Sequence, residues 1–321
     1  MLYAIVFFTL TAILLAYIKI ARILNIVDKP NDRSSHQYVT VRGGGIIFPI
    51  AAVLWYLLYG KTDPWIIAAL LLIAVISFID DIILLSSSSR LLIHIVATTV
   101  LLWQIQIFGL PWYGIVLIYI LTLGWINAFN FMDGINGITG IYGLVSLCTF
   151  LWLNQSIPFI PSELIITLIN SILIFLFFNF RRRAKTFAGD VGSISLAFIL
   201  AWAIISLILT TGRIEYILFF AIYGIDTVVT ILIRLFRREN IFEAHRTHLY
   251  QFLSNEYKWS HIKVSLSYGL IQGIINISVI LLITNNYMNY FVLLLFVVVL
   301  AAAYLFLRHK IQKAIDWRYS Y

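Results

Sequence analysis

Residues 113–137 read YGIVLIYILTLGWINAFNFMDGING. Through position 132 they carry no charge, and as a helix they are long enough to cross the roughly 30 Å hydrocarbon of a bilayer. The run then delivers Asn127, Asn130, Asp133 and Asn136 at every third position. That spacing places them on one helical face or in the turn that continues it. Asn and Gly are common in turns between helices, but such a turn does not require two Asn inside the span. The stretch therefore reads as a membrane helix that brings polar side chains together at one membrane face.

The rest of the chain agrees. Of 321 residues, 62% are hydrophobic and 11% charged, which excludes a soluble domain with a polar surface. Apolar runs predict eleven spanning helices, at 2–24, 45–60, 65–79, 91–108, 113–132, 137–153, 163–180, 193–211, 215–233, 264–284 and 288–307, so the expected fold is an all-α polytopic membrane bundle in one domain, 1–321. The first run is longer than a signal-peptide core, carries Lys19 and Arg22 at its far end and lacks a small-residue cleavage site, so it reads as a retained helix. The single cysteine, Cys148, lies in an apolar run and allows no intrachain disulfide. With the N-terminus outside, all of the 22 Lys and Arg except Lys61 and Arg213 fall in or beside inner segments. The positive-inside rule then places the C-terminus, the tail 308–321 and the long loop 234–263 in the cytoplasm. The net charge of +8 follows from this topology and from attraction to anionic lipid, with no nucleic-acid footprint. Outer connections are too short to hold a site.

Acids at membrane depth are costly and point to function. Asp80 and Asp81 end the third span, and two adjacent carboxylates need a compensating cation, for which Arg90 is at hand. Gly189-Asp190-Val191-Gly192-Ser193 sets a carboxylate in a glycine-flanked turn that opens a helix, where backbone amides can approach a phosphate. Asp226 lies two turns before Arg234 in the ninth span, where a structural bond to a neighbouring helix and a substrate contact are about equally expected. In the long inner loop, His245-Arg246-Thr247-His248 can hold phosphate oxygens, and no third ligand accompanies it to suggest zinc. The first inner loop runs from Asp28 through Pro30, Arg33-Ser34-Ser35-His36 and Arg42-Gly43-Gly44-Gly45, a basic, glycine-rich connection suited to wrapping a phosphate but lacking the Gly-Lys-Ser/Thr of a Walker loop. Carboxylates, arginines, histidines and glycine turns on one face are what a Mg²⁺-assisted phosphoryl-transfer site needs.

At Asp80-Asp81, Asn127/Asn130/Asp133-Gly134, Gly189 to Ser193, Asp226-Thr227 with Arg234, and His245 to His248, the chain resembles the polyprenyl-phosphate N-acetylhexosamine-1-phosphate transferases. This is the family of the phospho-MurNAc-pentapeptide translocase and of enzymes that initiate O-antigen and teichoic-acid linkage synthesis. The likeness spans about Asp28 to Gln251, and the Pro30–Gly45 segment looks most like the O-antigen and capsule-initiating branch, with Val39 and Val41 where that branch has prolines. Asn136 stands where most bacterial members carry Asp, as in the eukaryotic dolichol-phosphate branch.

The resemblance implies a UDP-N-acetylhexosamine donor, undecaprenyl phosphate as acceptor, UMP as product and Mg²⁺ or Mn²⁺ as cofactor, in a bacterial inner membrane with the site facing the cytoplasm and a homodimer as a further expectation. Asp190 and Asn130 are expected to hold the metal. Asp80, Asp81 and Asp133 are the expected catalytic acids, with Asp80 and Asp81 orienting the attacking phosphate or completing the metal shell. Arg42, Arg90, Asn127, Asn136, Asp226, Arg234, His245, Arg246 and His248 are the expected substrate contacts. The rival readings are a transporter or flippase, which predicts midplane sites and internal repeats, and a membrane scaffold, which leaves the carboxylates without a purpose.

Overall fold

A computed structural model describes residues 2–30, 35, 37–240 and 246–319, with side chains through 314. Each expected span has its helix: α1 (Leu2–Ile23), α2 (Ile47–Tyr59), α3 (Pro64–Ile82), α4 (Ser87–Gln104), α5 (Trp112–Phe131), α6 (Ile138–Asn154), α7 (Ser162–Asn179), α8 (Gly189–Thr211), α9 (Ala221–Phe236), α11 (His261–Thr284) and α12 (Tyr290–Tyr319). A three-residue helix, α10 (Leu249–Gln251), lies in the long connection between α9 and α11. The boundaries have local causes. Pro64 opens α3, Pro111 and Pro161 precede α5 and α7, and the Ser86 and Ser260 hydroxyls cap α4 and α11 by accepting from the Ser89 and Lys263 amides. Gly212, in a left-handed conformation, ends α8.

Eight of these helical segments among the described residues are long and apolar enough to cross a membrane, and the protein is a multi-pass membrane bundle. The count of eleven is not reproduced at that standard. α2 and α6 have only 13 and 17 residues, and the first turn of α4, Ser87-Ser88-Ser89-Arg90, is polar. The expected ninth span is among the eight, and is built of a 3-10 segment (Ile214–Phe220) followed by α9. The change of helix type loosens backbone groups that lipid could not satisfy. Gln272 of α11 answers them: its Oε1 accepts from the Ile222 amide (3.0 Å) and the Tyr142 hydroxyl (2.8 Å), and its Nε2 donates to the Leu218 carbonyl (3.0 Å) and Asn276 Oδ1 (2.7 Å).

Helix α8 is the axis of the bundle and is buried along most of its length, whereas α12 is mostly exposed and meets the bundle through Tyr304, Arg308 and a few partly buried apolar side chains. Around α8, Tyr142 stacks on Tyr223 (3.7 Å between centroids) and Trp125 on Phe220 (3.9 Å), while the Trp125 indole donates to the Ala197 carbonyl (3.0 Å). Two of the loops at the basic end are tied to one another. Strands β1 (Val27–Asp28) and β2 (Thr40–Val41) pair antiparallel, and Val41 also bridges Thr186 in the connection between α7 and α8.

The glycine run packs against the start of α8. Gly43, Gly44 and Gly45 are buried, and the Gly44 and Gly45 amides donate to the carbonyls of Phe187 (2.8 Å) and Ala188 (3.0 Å). A Cβ on Gly45 would stand 2.3 Å from Gly192 Cα, and one on Gly189, whose φ is +71°, would stand 2.8 Å from the Gly43 nitrogen. The glycines exist so that two backbones can touch. Gly45→Ala is expected to cost about 1–3 kcal/mol, read as a lower melting temperature of the detergent-solubilised protein. Gly124→Ala, where nothing lies within 4 Å of the added carbon, is expected to leave it unchanged or slightly raised. Equal melting of Gly45→Ala and wild type would contradict the close approach.

Candidate active site

The carboxylates at the C-terminal end of α3 and the N-terminal end of α8 are organised by two arginines and one helix terminus. Asp81 has no exposed side-chain surface, and its carboxylate takes Arg42 Nε at 2.7 Å. Its two oxygens also accept from the Asp190 (2.9 Å) and Val191 (3.0 Å) amides. The amides that open α8, which the sequence offered to a phosphate, are therefore capped by the protein's own anion. Asp80 accepts from Arg90 (2.8 Å) and from the Leu85 amide (2.8 Å), so each acid of the adjacent pair has its own arginine. Tyr17 of α1 donates to the Arg42 carbonyl (2.7 Å) and fixes that residue's backbone. Burial opposes the Arg42 charge, but Asp81 and Asp190 outweigh it and hold the guanidinium above its ordinary pKa.

Asp190 is held more loosely. Arg42 and Arg90 reach it only at 3.4 and 3.6 Å. It lines a cavity of about 410 Å³ together with Asn130, Asp133, Asn136 and Arg42. Asn130 Oδ1 accepts from the Ser193 hydroxyl (2.7 Å), which places α5 against the first turn of α8. Asp133 Oδ1 accepts from the Thr139 hydroxyl (2.5 Å), and burial pushes its carboxyl up to about 7 against that bond. Among the described residues no three His, Cys, Asp or Glu side chains gather into a metal cage. Two carboxylates and an amide oxygen facing one cavity are nonetheless the hard donors with which proteins hold Mg²⁺ beside a phosphorylated substrate.

The other expected residues divide. Asn127 does not line this cavity; its amide turns back to the Leu123 carbonyl (2.8 Å) on its own helix. Asn136 does, and its Nδ2 donates to the Arg181 carbonyl (2.7 Å). That bond explains the amide: a carboxylate there would set an acceptor against an acceptor. Asp226 and His248 are both buried and bonded to each other (3.2 Å). Arg234 is buried and donates to Glu239 (3.0 Å) and to the Asn240 carbonyl (2.6 Å), fastening the chain that leaves α9. Arg246 is half-buried and lines neither cavity of the site. His245 lies outside the described residues, as do Arg33, Ser34 and His36.

The cavity also contains residues the sequence reading did not single out. Asn179 accepts from the Gly137 amide (2.6 Å) and donates to the Thr186 carbonyl (2.9 Å), joining the turn after α5 to the loop before α8. His261 Nδ1 accepts from the Asn136 amide (3.3 Å). Asp28, Phe187 and Gln251 complete the wall. Ser35, Asn136, Phe187 and His261 continue into an adjoining cavity of about 350 Å³, where Arg182 and Arg183 supply charge and the Arg183 guanidinium lies 4.1 Å over the Tyr38 ring. His261 could have been suspected from its place beside the Ser260 cap; Asn179, at the end of an apolar helix, gave no signal.

Fold and site thus define a membrane bundle with paired carboxylates and arginines at one end. Residues 64–208 match the family described as glycosyl transferase family 4. It is 29% identical to a phospho-N-acetylmuramoyl-pentapeptide-transferase of Lactococcus lactis subsp. cremoris (strain SK11), over 56% of this chain and 55% of the relative. It is 30% identical to the protein of the same name from Fervidobacterium nodosum, over 43% of this chain and 44% of the relative. A probable undecaprenyl-phosphate N-acetylglucosaminyl 1-phosphate transferase of Bacillus subtilis (strain 168) is 26% identical over 82% of this chain and 79% of its own. The chain spans about half the length of the pentapeptide-transferases it matches.

The Asn136 bond is directly testable. Asn136→Asp removes the donor to the Arg181 carbonyl and is expected to destabilise the protein by about 1–3 kcal/mol, seen as a lower melting temperature above pH 6. Asn136→Gln, which keeps the amide, is expected to fall less. Unchanged melting of the Asp variant would show that the amide donor does not matter.

Proposed function

We propose that the protein transfers N-acetylhexosamine 1-phosphate from a UDP-sugar to undecaprenyl phosphate and releases UMP, as the first membrane step of O-antigen, capsule or a related envelope polysaccharide. The observation that carries this reading is one cavity, at the basic end of the bundle, that presents Asp190, Asp133 and Asn130 beside Arg42. The Bacillus subtilis relative, a probable undecaprenyl-phosphate N-acetylglucosaminyl 1-phosphate transferase, supports the acceptor and the phospho-sugar, and the Pro30 to Gly45 segment supports the O-antigen branch. The distribution of Lys and Arg supports an inner membrane with the site towards the cytoplasm.

In this reading the donor occupies the two joined cavities. Asp190, Asn130 and Asp133 hold a divalent cation, Mg²⁺ or Mn²⁺, which when bound neutralises the diphosphate and the leaving UMP. Arg42 adds fixed positive charge on the same wall, and Arg182 and Arg183 do so in the second cavity. An oxygen of the lipid phosphate attacks the donor's β-phosphorus, and the bond from that phosphorus to the bridging oxygen breaks towards UMP. A phosphate monoester, with its second pKa near 6, is already largely dianionic at neutral pH, so no side chain must remove a proton from it. Asp80 and Asp81 contribute through their arginines: Asp81 sets the entry of α8 and with it Asp190, and Asp80 holds Arg90 against Asp190.

The test is incubation of purified protein with undecaprenyl phosphate, Mg²⁺ and a panel of UDP-N-acetylhexosamines, following UMP. Release that yields a lipid-linked sugar, stops with EDTA and falls by at least ~100-fold in Asp190→Asn is expected. No release with any donor from folded protein would favour the transporter reading.

A further inference from the structure

The protein contains a second polar centre, remote from the carboxylate pairs, in which four elements meet on one acid. Asp226 of α9 is 0% exposed. Its Oδ2 accepts from the Tyr268 hydroxyl of α11 (2.6 Å). Its Oδ1 accepts from the Tyr304 hydroxyl of α12 (2.9 Å) and from the Leu249 amide (3.1 Å), and stands 3.2 Å from His248 Nδ1. Arg308, one turn beyond Tyr304, donates to the Tyr304 hydroxyl (3.0 Å) and to Thr230 (2.9 Å), and its guanidinium lies 5.2 Å from the Phe252 ring centre. With its hydroxyl hydrogen committed to Asp226, Tyr304 accepts from Arg308, so the bonds run in one direction from arginine through phenol to carboxylate and polarise one another.

What Asp226 holds is the end of the long connection between α9 and α11. Gln251 Oε1 accepts from the His248 amide (3.2 Å), closing the turn His248–Gln251, and Gln251 lines the site cavity. Tyr250 donates to the Phe131 carbonyl (2.9 Å). It lies so near the Asp133 turn that a Cβ on Gly134 would come within 2.2 Å of its hydroxyl. The turn therefore touches the hub on one side and the site on the other.

We propose that Tyr304, together with Tyr268, is a positioning residue for the donor site. Acting through Asp226, it holds the His248–Gln251 turn against the Asp133–Gly134 turn and so sets the cavity wall on which the nucleotide-sugar rests. Mere fastening of α12 does not require this arrangement. Tyr304 and Arg308 are buried and turned onto α9 and the loop, while Val292, Leu293, Phe296, Leu300 and Ile311 of the same helix pack partly buried against the bundle. Loss of one polar contact leaves that apolar packing in place, so the loop's order can change without unfolding the core. The proposal rests on the transferase reading for what the cavity holds, and on geometry alone for the coupling.

Two readouts on the full chain in detergent or nanodiscs test it. In Tyr304→Phe, hydrogen exchange at the Leu249 and Tyr250 amides is expected to quicken about tenfold while peptides from α3 and α8 keep their rates. The donor KM is expected to rise about fivefold, with kcat changing less than about twofold. Tyr268→Phe is expected to act in the same direction. Unchanged exchange at Leu249, or exchange that quickens equally throughout the bundle, would overturn the proposal. Inactivity of the wild-type protein with every donor would count against the transferase reading instead, and the exchange experiment would still decide the coupling.

Discussion

The carboxylate of Asp81 is the contact on which the site end of the bundle depends. A buried ion costs several kcal/mol unless opposite charge and hydrogen bonds replace its water. Asp81 has both, in the Arg42 guanidinium at 2.7 Å and two amides of α8 at 2.9 and 3.0 Å. One acid thereby fixes where α8 begins, where the loop carrying Arg42 lies and how α3 meets both. The glycines at 43, 44, 45, 189 and 192 are the steric condition for this contact, since a side chain at 45 or 189 would force the two backbones apart. Asp190 follows α8, and so lines the cavity with Arg42 and Arg90 at 3.4 and 3.6 Å.

The same logic recurs at the other wall. Asp226 is buried among donors only, and its partners are the two tyrosines of α11 and α12 and the turn at His248. Between the two acids lie Asn136 and Asn179, amides that both accept and donate and that join the turns after α5 and α7 where carboxylates could not. Each loop of the site is thus tied to a helix terminus or to another loop by a polar side chain.

The helices were legible because the pattern that creates them is local: uninterrupted apolar runs bounded by Pro, Ser and Gly. The break at Phe220–Ala221 was not, because the group that makes it tolerable, Gln272, belongs to another helix. The site was legible where charge at membrane depth is itself unusual, as at Asp80, Asp81, Asp133 and Asp190. Sequence could not say which of these acids faces the cavity, since that depends on which are claimed by Arg42 and Arg90. It left both the glycine run and the α8 amides open to a phosphate, because nothing in either segment reveals that they pack on each other. Asp226 and His248 were found as candidates, but their direct contact spans a loop that has no periodicity to place it.

An experimental structure with Mg²⁺ and a non-transferable UDP-sugar analogue tests this division of labour among the acids most directly. The account predicts the metal and the donor's diphosphate in the cavity lined by Asp190, Asp133 and Asn130, with Asp81 still on Arg42 and the α8 amides. A metal bound instead by Asp80 and Asp81, with Arg42 displaced, would contradict it.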